Sequence, residues 1–174
     1  CLVGHSMGAA IALNASLSHH WRICSVVAIG GASKMIVNDA ILDGLQNTFE
    51  STVDSIVKYS WHKKTGAVAD SPQMAAFFRE KAKQRMLDAG SKTVFGDFLA
   101  CSRFDLSKRV GEIVVPVLVI ASDCDRMVPL NVSWEMSEVL KNSYFVCLEN
   151  CGHFQHIEQT GRVAAELVNF LSKI

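Results

Sequence analysis

The sequence has no surplus of charge of either sign. It contains 17 Lys and Arg residues and 17 Asp and Glu residues, so its formal net charge at pH 7 is +0. Proteins that bind nucleic acid or anionic membranes usually carry a basic surplus, because phosphate groups dominate those surfaces. The balance of charges therefore disfavours nucleic acid and membrane surfaces as partners.

Long apolar runs are missing as well. Hydrophobic residues make up 49% of the 174 residues, yet no apolar stretch approaches the ~18 residues of a membrane-spanning helix. A chain of this size and composition can bury one sizeable core. The sequence predicts one globular domain without a membrane span.

The six cysteines include no C-x-x-C pair. Most of them stand in apolar or strand-like segments, which is typical of reduced, buried thiols in a cytoplasmic protein. We interpret Cys124 and Cys151 in the same way, although they flank the candidate acid and base described below. Because the chain begins with Cys1 and not with methionine, we expect it to be part of a longer protein. The absence of a signal peptide then says nothing about export.

A G-x-S-x-G motif lies near the start of the chain. Residues 4–8 read Gly-His-Ser-Met-Gly and are followed by a run of small and apolar residues at 9–13. In such a motif the serine lies on a sharp strand-to-helix turn that exposes its hydroxyl. Side chains at Gly4 and Gly8 are expected to collide with the neighbouring strand or helix. The motif predicts Ser6 as a nucleophile; the alternative is a structural serine at a helix start.

An acid and a histidine follow two predicted strands near the other end of the chain. The apolar run at 116–121 predicts a buried strand, and Asp123 and Asp125 come after it. A second predicted strand, at 144–148, is followed by His153. Since the carboxyl ends of parallel strands meet at one edge of a sheet, we expect these side chains to lie there together.

The order of the candidate residues along the chain is serine, aspartate, histidine. This order is that of the alpha/beta-hydrolase fold and differs from the orders in the chymotrypsin and subtilisin folds. The chain resembles the C-terminal part of an alpha/beta-hydrolase of the esterase, lactonase and C–C hydrolase type. The segments that carry the resemblance are 4–8, 115–120, 125–129, 152–153 and 157–159.

The resemblance implies an α/β architecture. We expect a mostly parallel sheet flanked by helices, with a helical lid inserted and the N-terminal strands missing. Residues 1–33 and 105–174 are assigned to the hydrolase core and residues 34–104 to the lid. Apolar residues recur at helical spacing from 41 to 57, which predicts one long amphipathic helix. Two further lid helices are predicted, one with Ser71 as its N-cap and Pro72 as its first residue, and one over 93–102.

The resemblance also implies a role for each group. Ser6 would attack a carbonyl, and His153 would accept its proton and return it to the leaving group. Asp125 would hold the imidazole; it is favoured over Asp123 because it lies four residues before Pro129, as in the family pattern. The backbone N–H of Met7 would be one oxyanion donor, and the family's second donor comes from a third-strand loop that this sequence does not contain.

No cofactor and no metal are predicted. His156 and Glu158 stand close to His153 in the sequence, but a third convincing ligand is missing, so they are more simply pocket or helix-surface residues. Four residues of the lid are candidates for an apolar substrate pocket, with the core of the lid as the alternative. They are Trp61, Met74, Phe77 and Phe78.

The sequence thus predicts a serine hydrolase that cleaves a small or medium, largely apolar ester or lactone through an acyl-enzyme. A C–C bond hydrolase or a thioesterase with the same triad is an alternative within enzymes. A ligand receptor built on the same fold is the alternative outside them.

Overall fold

A parallel sheet lies at the centre of the computed structural model, which describes residues 1–62 and 72–174. The described residues form four strands, and each strand pairs with the next in chain order. The strands are β1 (Leu2–His5), β2 (Val26–Ile29), β3 (Val117–Ser122) and β4 (Ser143–Leu148). Every residue of β2 and β3 is buried, as expected for strands that are covered on both faces of a parallel sheet.

Helices cover both faces of this sheet. Ala9 and Leu13 pack with Met136 on one face, and Val163 packs with Phe170 on the other. The helices of the described residues are α1 (Met7–Ser18), α2 (Asp39–Asn47), α3 (Phe49–Ser60), α4 (Pro72–Ala89), α5 (Ser91–Arg103), α6 (Leu130–Val139), α7 (Gln155–Glu158) and α8 (Thr160–Leu171). None of them combines the length and apolar character that a bilayer crossing requires.

Helices α2 to α5 form the insertion between β2 and β3. The prediction of one long helix over 41–57 is wrong, because the chain leaves the helical conformation at Thr48 (φ −141°, ψ 53°). The chain turns there, and a side chain at Gly44 would overlap that of Thr52. The break lets Leu45 and Ile56, from two different helices, share one core cluster.

The other predicted helices differ from the structure mainly at their ends. Helix α4 begins at Pro72 as predicted, whereas the predicted N-cap, Ser71, lies outside the described residues. Helix α5 begins at Ser91, two residues before the predicted start. The short helix α7 has no periodic signal in the sequence and was not predicted, because four residues are too few to show one.

Candidate active site

Ser6 occupies the single position between β1 and α1. Its backbone has φ 53° and ψ −115°, a conformation with positive φ that non-glycine residues rarely adopt. Its N–H donates to the carbonyl of Ile29 at 2.9 Å, and its carbonyl accepts from the N–H of Ala9 at 2.9 Å. The side chain makes no capping hydrogen bond to α1, so the hydroxyl is free of the structural role that the alternative interpretation gave it.

The two glycines of the motif behave differently. A Cβ on Gly4 would overlap the backbone of Gly8, so the expected collision is confirmed at this position. A Cβ on Gly8 would meet no atom within 4 Å, and the expectation is wrong there for this chain. The tight packing that forms the turn therefore depends on the absence of a side chain at Gly4.

Asp125 and His153 form a buried pair. Oδ2 of Asp125 accepts a hydrogen bond from Nδ1 of His153 at 2.8 Å, and only 1% of the Asp125 side chain is exposed. The other carboxylate oxygen accepts from the N–H groups of Met127 at 2.8 Å and Val128 at 2.9 Å. These bonds fix the carboxylate. Because Nδ1 carries the hydrogen, Nε2 is the nitrogen left to accept a proton.

The competing carboxylate, Asp123, lies elsewhere. One of its oxygens accepts from the backbone N–H of Cys151 at 3.4 Å, which links the loops that follow β3 and β4. The structure thus brings Asp125, and not Asp123, to the histidine.

Ser6, Met7 and His153 line a common cavity of about 580 Å³. The N–H of Met7 donates to no acceptor within residues 1–62 and 72–174, so a bound oxygen could receive it. The walls are mainly apolar and come chiefly from the insertion, from the loop after β3 with the start of α6, and from the loop that carries His153. The apolar lining residues include Met7, Met35, Ile36, Val37, Ile41, Ile56, Met86, Ala89, Val94, Phe98, Met127, Val128, Pro129, Val132 and Phe154.

A family model for the alpha/beta hydrolase fold matches residues 1–160 of the chain. The chain belongs to the alpha/beta-hydrolase fold family. A pimeloyl-[acyl-carrier protein] methyl ester esterase of Aliivibrio fischeri is 23% identical over 98% of this chain and 69% of its own length. A 2-hydroxy-6-oxononadienedioate/2-hydroxy-6-oxononatrienedioate hydrolase of Paraburkholderia xenovorans is 25% identical over 98% of this chain and 61% of its own length.

The structure of a thermophilic esterase agrees with this membership. The two structures superimpose with a TM-score of 0.86 at 27% sequence identity. The match covers 98% of this chain and 65% of the esterase. The chain thus spans about two thirds of the length of such alpha/beta hydrolases. The expected fold class is confirmed.

The predicted pocket residues of this alpha/beta hydrolase do not line the cavity around Ser6. Trp61 is buried and stacks on Phe154, with ring centroids 4.9 Å apart. Phe78 packs against the core cluster that contains Trp61. Phe77 and Met74 are largely exposed. The alternative interpretation, the core of the lid, describes Trp61 and Phe78 better.

Gln155 contributes to the site but was not predicted. Its amide donates to Oδ2 of Asp125 at 3.1 Å and to the hydroxyl of Ser122 at 3.0 Å. This contact joins the carboxylate to the end of β3. The only sequence signal is its position two residues after His153, which does not distinguish it from an exposed glutamine.

His5 is a second residue that was not predicted. Its Nε2 donates to the backbone carbonyl of His153 at 2.7 Å, and its ring lies 4.6 Å from the rings of both His153 and His156. Burial, together with the neighbouring positive charge of His153 and His156 when protonated, lowers the pKa of His5 to about 3. Burial also lowers the pKa of His156. Among the described residues, no three His, Cys, Asp or Glu side chains are grouped as metal ligands.

We predict that the protein loses stability on acidification through His5. Between its folded pKa of about 3 and its ordinary value of 6.5, the unfolded state binds the proton and the folded state does not. The free energy of unfolding therefore falls as the pH falls, by about 2 kcal/mol between pH 7 and pH 5 for this group. Urea unfolding at both pH values measures the change. His5→Gln should reduce the drop by that amount, and an equal drop in the variant would contradict the prediction.

Proposed function

We propose that the chain carries the Ser-His-Asp triad of a hydrolase that cleaves a small or medium, largely apolar carboxylic ester or lactone. The observation that carries the proposal is the apolar cavity that Ser6, Met7 and His153 all line. The buried bond from His153 to Asp125 supports it, because a hydrogen held on Nδ1 leaves Nε2 as the ring nitrogen that can accept a proton.

The reaction proceeds through an acyl-enzyme. The Oγ of Ser6 attacks the carbonyl carbon while Nε2 of His153 takes its proton, and Asp125 stabilises the imidazolium that forms. The N–H of Met7, at the positive end of α1, donates to the oxyanion. Collapse of the tetrahedral intermediate breaks the bond to the leaving oxygen, which takes the proton from His153. Water then attacks the acyl group by the same route and releases the acid.

The insertion acts as the lid of this site, with the boundaries at residues 34 and 104 that the sequence suggested. Ile41, Ile56, Met86 and Phe98, from α2, α3, α4 and α5, each contribute to the cavity wall. At the base of the insertion, Lys34 and Asp105 form an ion pair at 2.9 Å.

The size of the cavity suits a small substrate. Its volume of about 580 Å³ falls within the roughly 300–1,000 Å³ that small-molecule pockets occupy. All six cysteines are free thiols, which fits a reducing compartment, and we place the protein in the cytoplasm on that ground.

The alternatives share the triad and differ in the bond that is broken. A relative named as a hydrolase of 2-hydroxy-6-oxononadienedioate favours cleavage of a C–C bond as the second candidate. A thioesterase would use the same groups on a thioester. A receptor would bind the same apolar ligands and complete one slow turnover at most.

A series of p-nitrophenyl esters from acetate to octanoate tests the proposal. We expect many turnovers per protein, and we expect Ala89→Trp, which fills the cavity, to lower kcat/KM for octanoate at least about tenfold more than for acetate. Ala164→Trp, on the exposed side of α8, is the matched control and should change neither value. A single turnover on every ester would favour the receptor. Turnover of a thioester alone would favour a thioesterase, and turnover of a vinylogous diketone alone would favour a C–C bond hydrolase.

A further inference from the structure

The loop that carries His153 is bonded to the C-terminal end of α3. The backbone N–H of His153 donates to the carbonyl of Ser60 at 2.6 Å. The ring of Trp61, the next residue, stacks on Phe154. The insertion therefore supports the histidine loop directly, in addition to contributing to the cavity wall.

Glu158 strengthens this junction from the buried side. Its relative exposure is 0%, and its carboxylate accepts from the N–H of Gly152 at 3.0 Å and of Phe154 at 3.1 Å. These two residues flank His153. A third bond at 3.1 Å comes from the N–H of His62, two residues after the end of α3. One carboxylate thus joins both sides of the histidine loop to the insertion.

A buried carboxylate is costly unless its charge is compensated. Glu158 forms no ion pair within residues 1–62 and 72–174, so the N–H groups supply the compensation as charge-assisted hydrogen bonds. The packing at Gly152 is tight, because a Cβ there would lie within 2.8 Å of the carbonyl of Ser60 and of Oε1 of Glu158. The position of the carboxylate is therefore closely defined.

We propose that Glu158 is a positioning residue for His153. Its carboxylate fixes the peptide groups before and after the histidine against the end of α3, and so holds the imidazole between Asp125 and Ser6. The inference rests on the proposed function, since it assigns Glu158 to the same site. Its chemical basis is general: a displacement of a catalytic group by about 1 Å costs on the order of 10² in rate.

Glu158→Gln tests the proposal, because an amide places a donor against at least one of the three N–H groups. We expect kcat to fall about 10- to 100-fold with KM little changed, and labelling by a fluorophosphonate to slow in the same ratio. Glu158→Asp keeps the charge but shortens the reach, and its kcat should lie between those of Glu158→Gln and the wild type. Glu138→Gln, at an exposed glutamate of α6, is the matched control and should be unchanged.

Two measurements separate positioning from a purely structural role. In a His153→Ala background, Glu158→Gln should have no further effect on the residual rate, whereas a structural loss would lower both backgrounds alike and overturn the proposal. The proton NMR resonance of the Nδ1 hydrogen between His153 and Asp125 should shift in Glu158→Gln and stay in place in Glu138→Gln. That resonance does not need turnover, so an unchanged signal overturns the positioning role even if no ester is hydrolysed. If the resonance shifts in Glu158→Gln but the protein hydrolyses no ester, only the proposed function is refuted.

Discussion

Replacing Ser6 with alanine should abolish the activity of the intact protein. Ser6 is the group that forms the bond to the acyl carbon in the proposed reaction, and no other hydroxyl lies on the strained turn between β1 and α1. Loss of a nucleophilic serine from such a triad lowers kcat by on the order of 10⁶. We expect ester hydrolysis by Ser6→Ala to approach the background rate, while the far-UV circular dichroism spectrum stays that of the wild type.

A fluorophosphonate probe gives the same result without a substrate. The Oγ of Ser6 attacks phosphorus and displaces fluoride, and mass spectrometry of the digested protein locates the adduct. The control is Ser172→Ala, which removes an exposed hydroxyl that donates only to the carbonyl of Asn169 and should label normally. Labelling that persists in Ser6→Ala would assign the nucleophile to another residue.

The turn at Ser6 could be predicted from sequence because its cause is local. Gly4 is required by the close approach of the Gly8 backbone, four residues away, and the motif records that requirement. The placement of the aspartate and the histidine could also be predicted from the sequence, because each follows an apolar run that forms a strand of the same parallel sheet.

The break at Thr48 could not be predicted from the sequence, because the apolar periodicity continues across it. Leu45 before the break and Ile56 after it both face one cluster with Val94 of α5. A pattern of apolar residues records which side chains are buried but not whether one helix or two present them. The close approach of Thr52 to Gly44 shows the difference, because residues eight positions apart in one continuous helix would not meet.

The residues predicted for the pocket do not line the cavity at Ser6, for a related reason. The sequence does not record which way a large apolar side chain of the insertion points, and Trp61 stacks on Phe154 of the histidine loop instead of lining the cavity. The cavity is lined by single residues from many elements, such as Ile41 and Met127, and no short stretch of sequence contains that set. Glu158 illustrates the same limit, since its partner His62 is 96 positions away.

Replacing Asp125 with asparagine should lower kcat by on the order of 10⁴. The bonds from the N–H groups of Met127 and Val128 can be kept by the amide oxygen, so the loop should remain folded. The amide nitrogen then faces Nδ1 of His153 and donates to it. This places the imidazole hydrogen on Nε2, where it blocks the proton transfer from Ser6. Steady-state kinetics at pH 8 measure the loss, with KM nearly unchanged.

Asp123→Asn is the control that the chain itself offers, two residues away in the same loop. Its carboxylate accepts a 3.4 Å hydrogen bond from the Cys151 N–H, which an amide oxygen can also accept. We therefore expect kcat within about threefold of the wild type. If Asp123→Asn were the more damaging change, the acid would be Asp123, and the 2.8 Å bond between Asp125 and His153 would not describe the working state of the site.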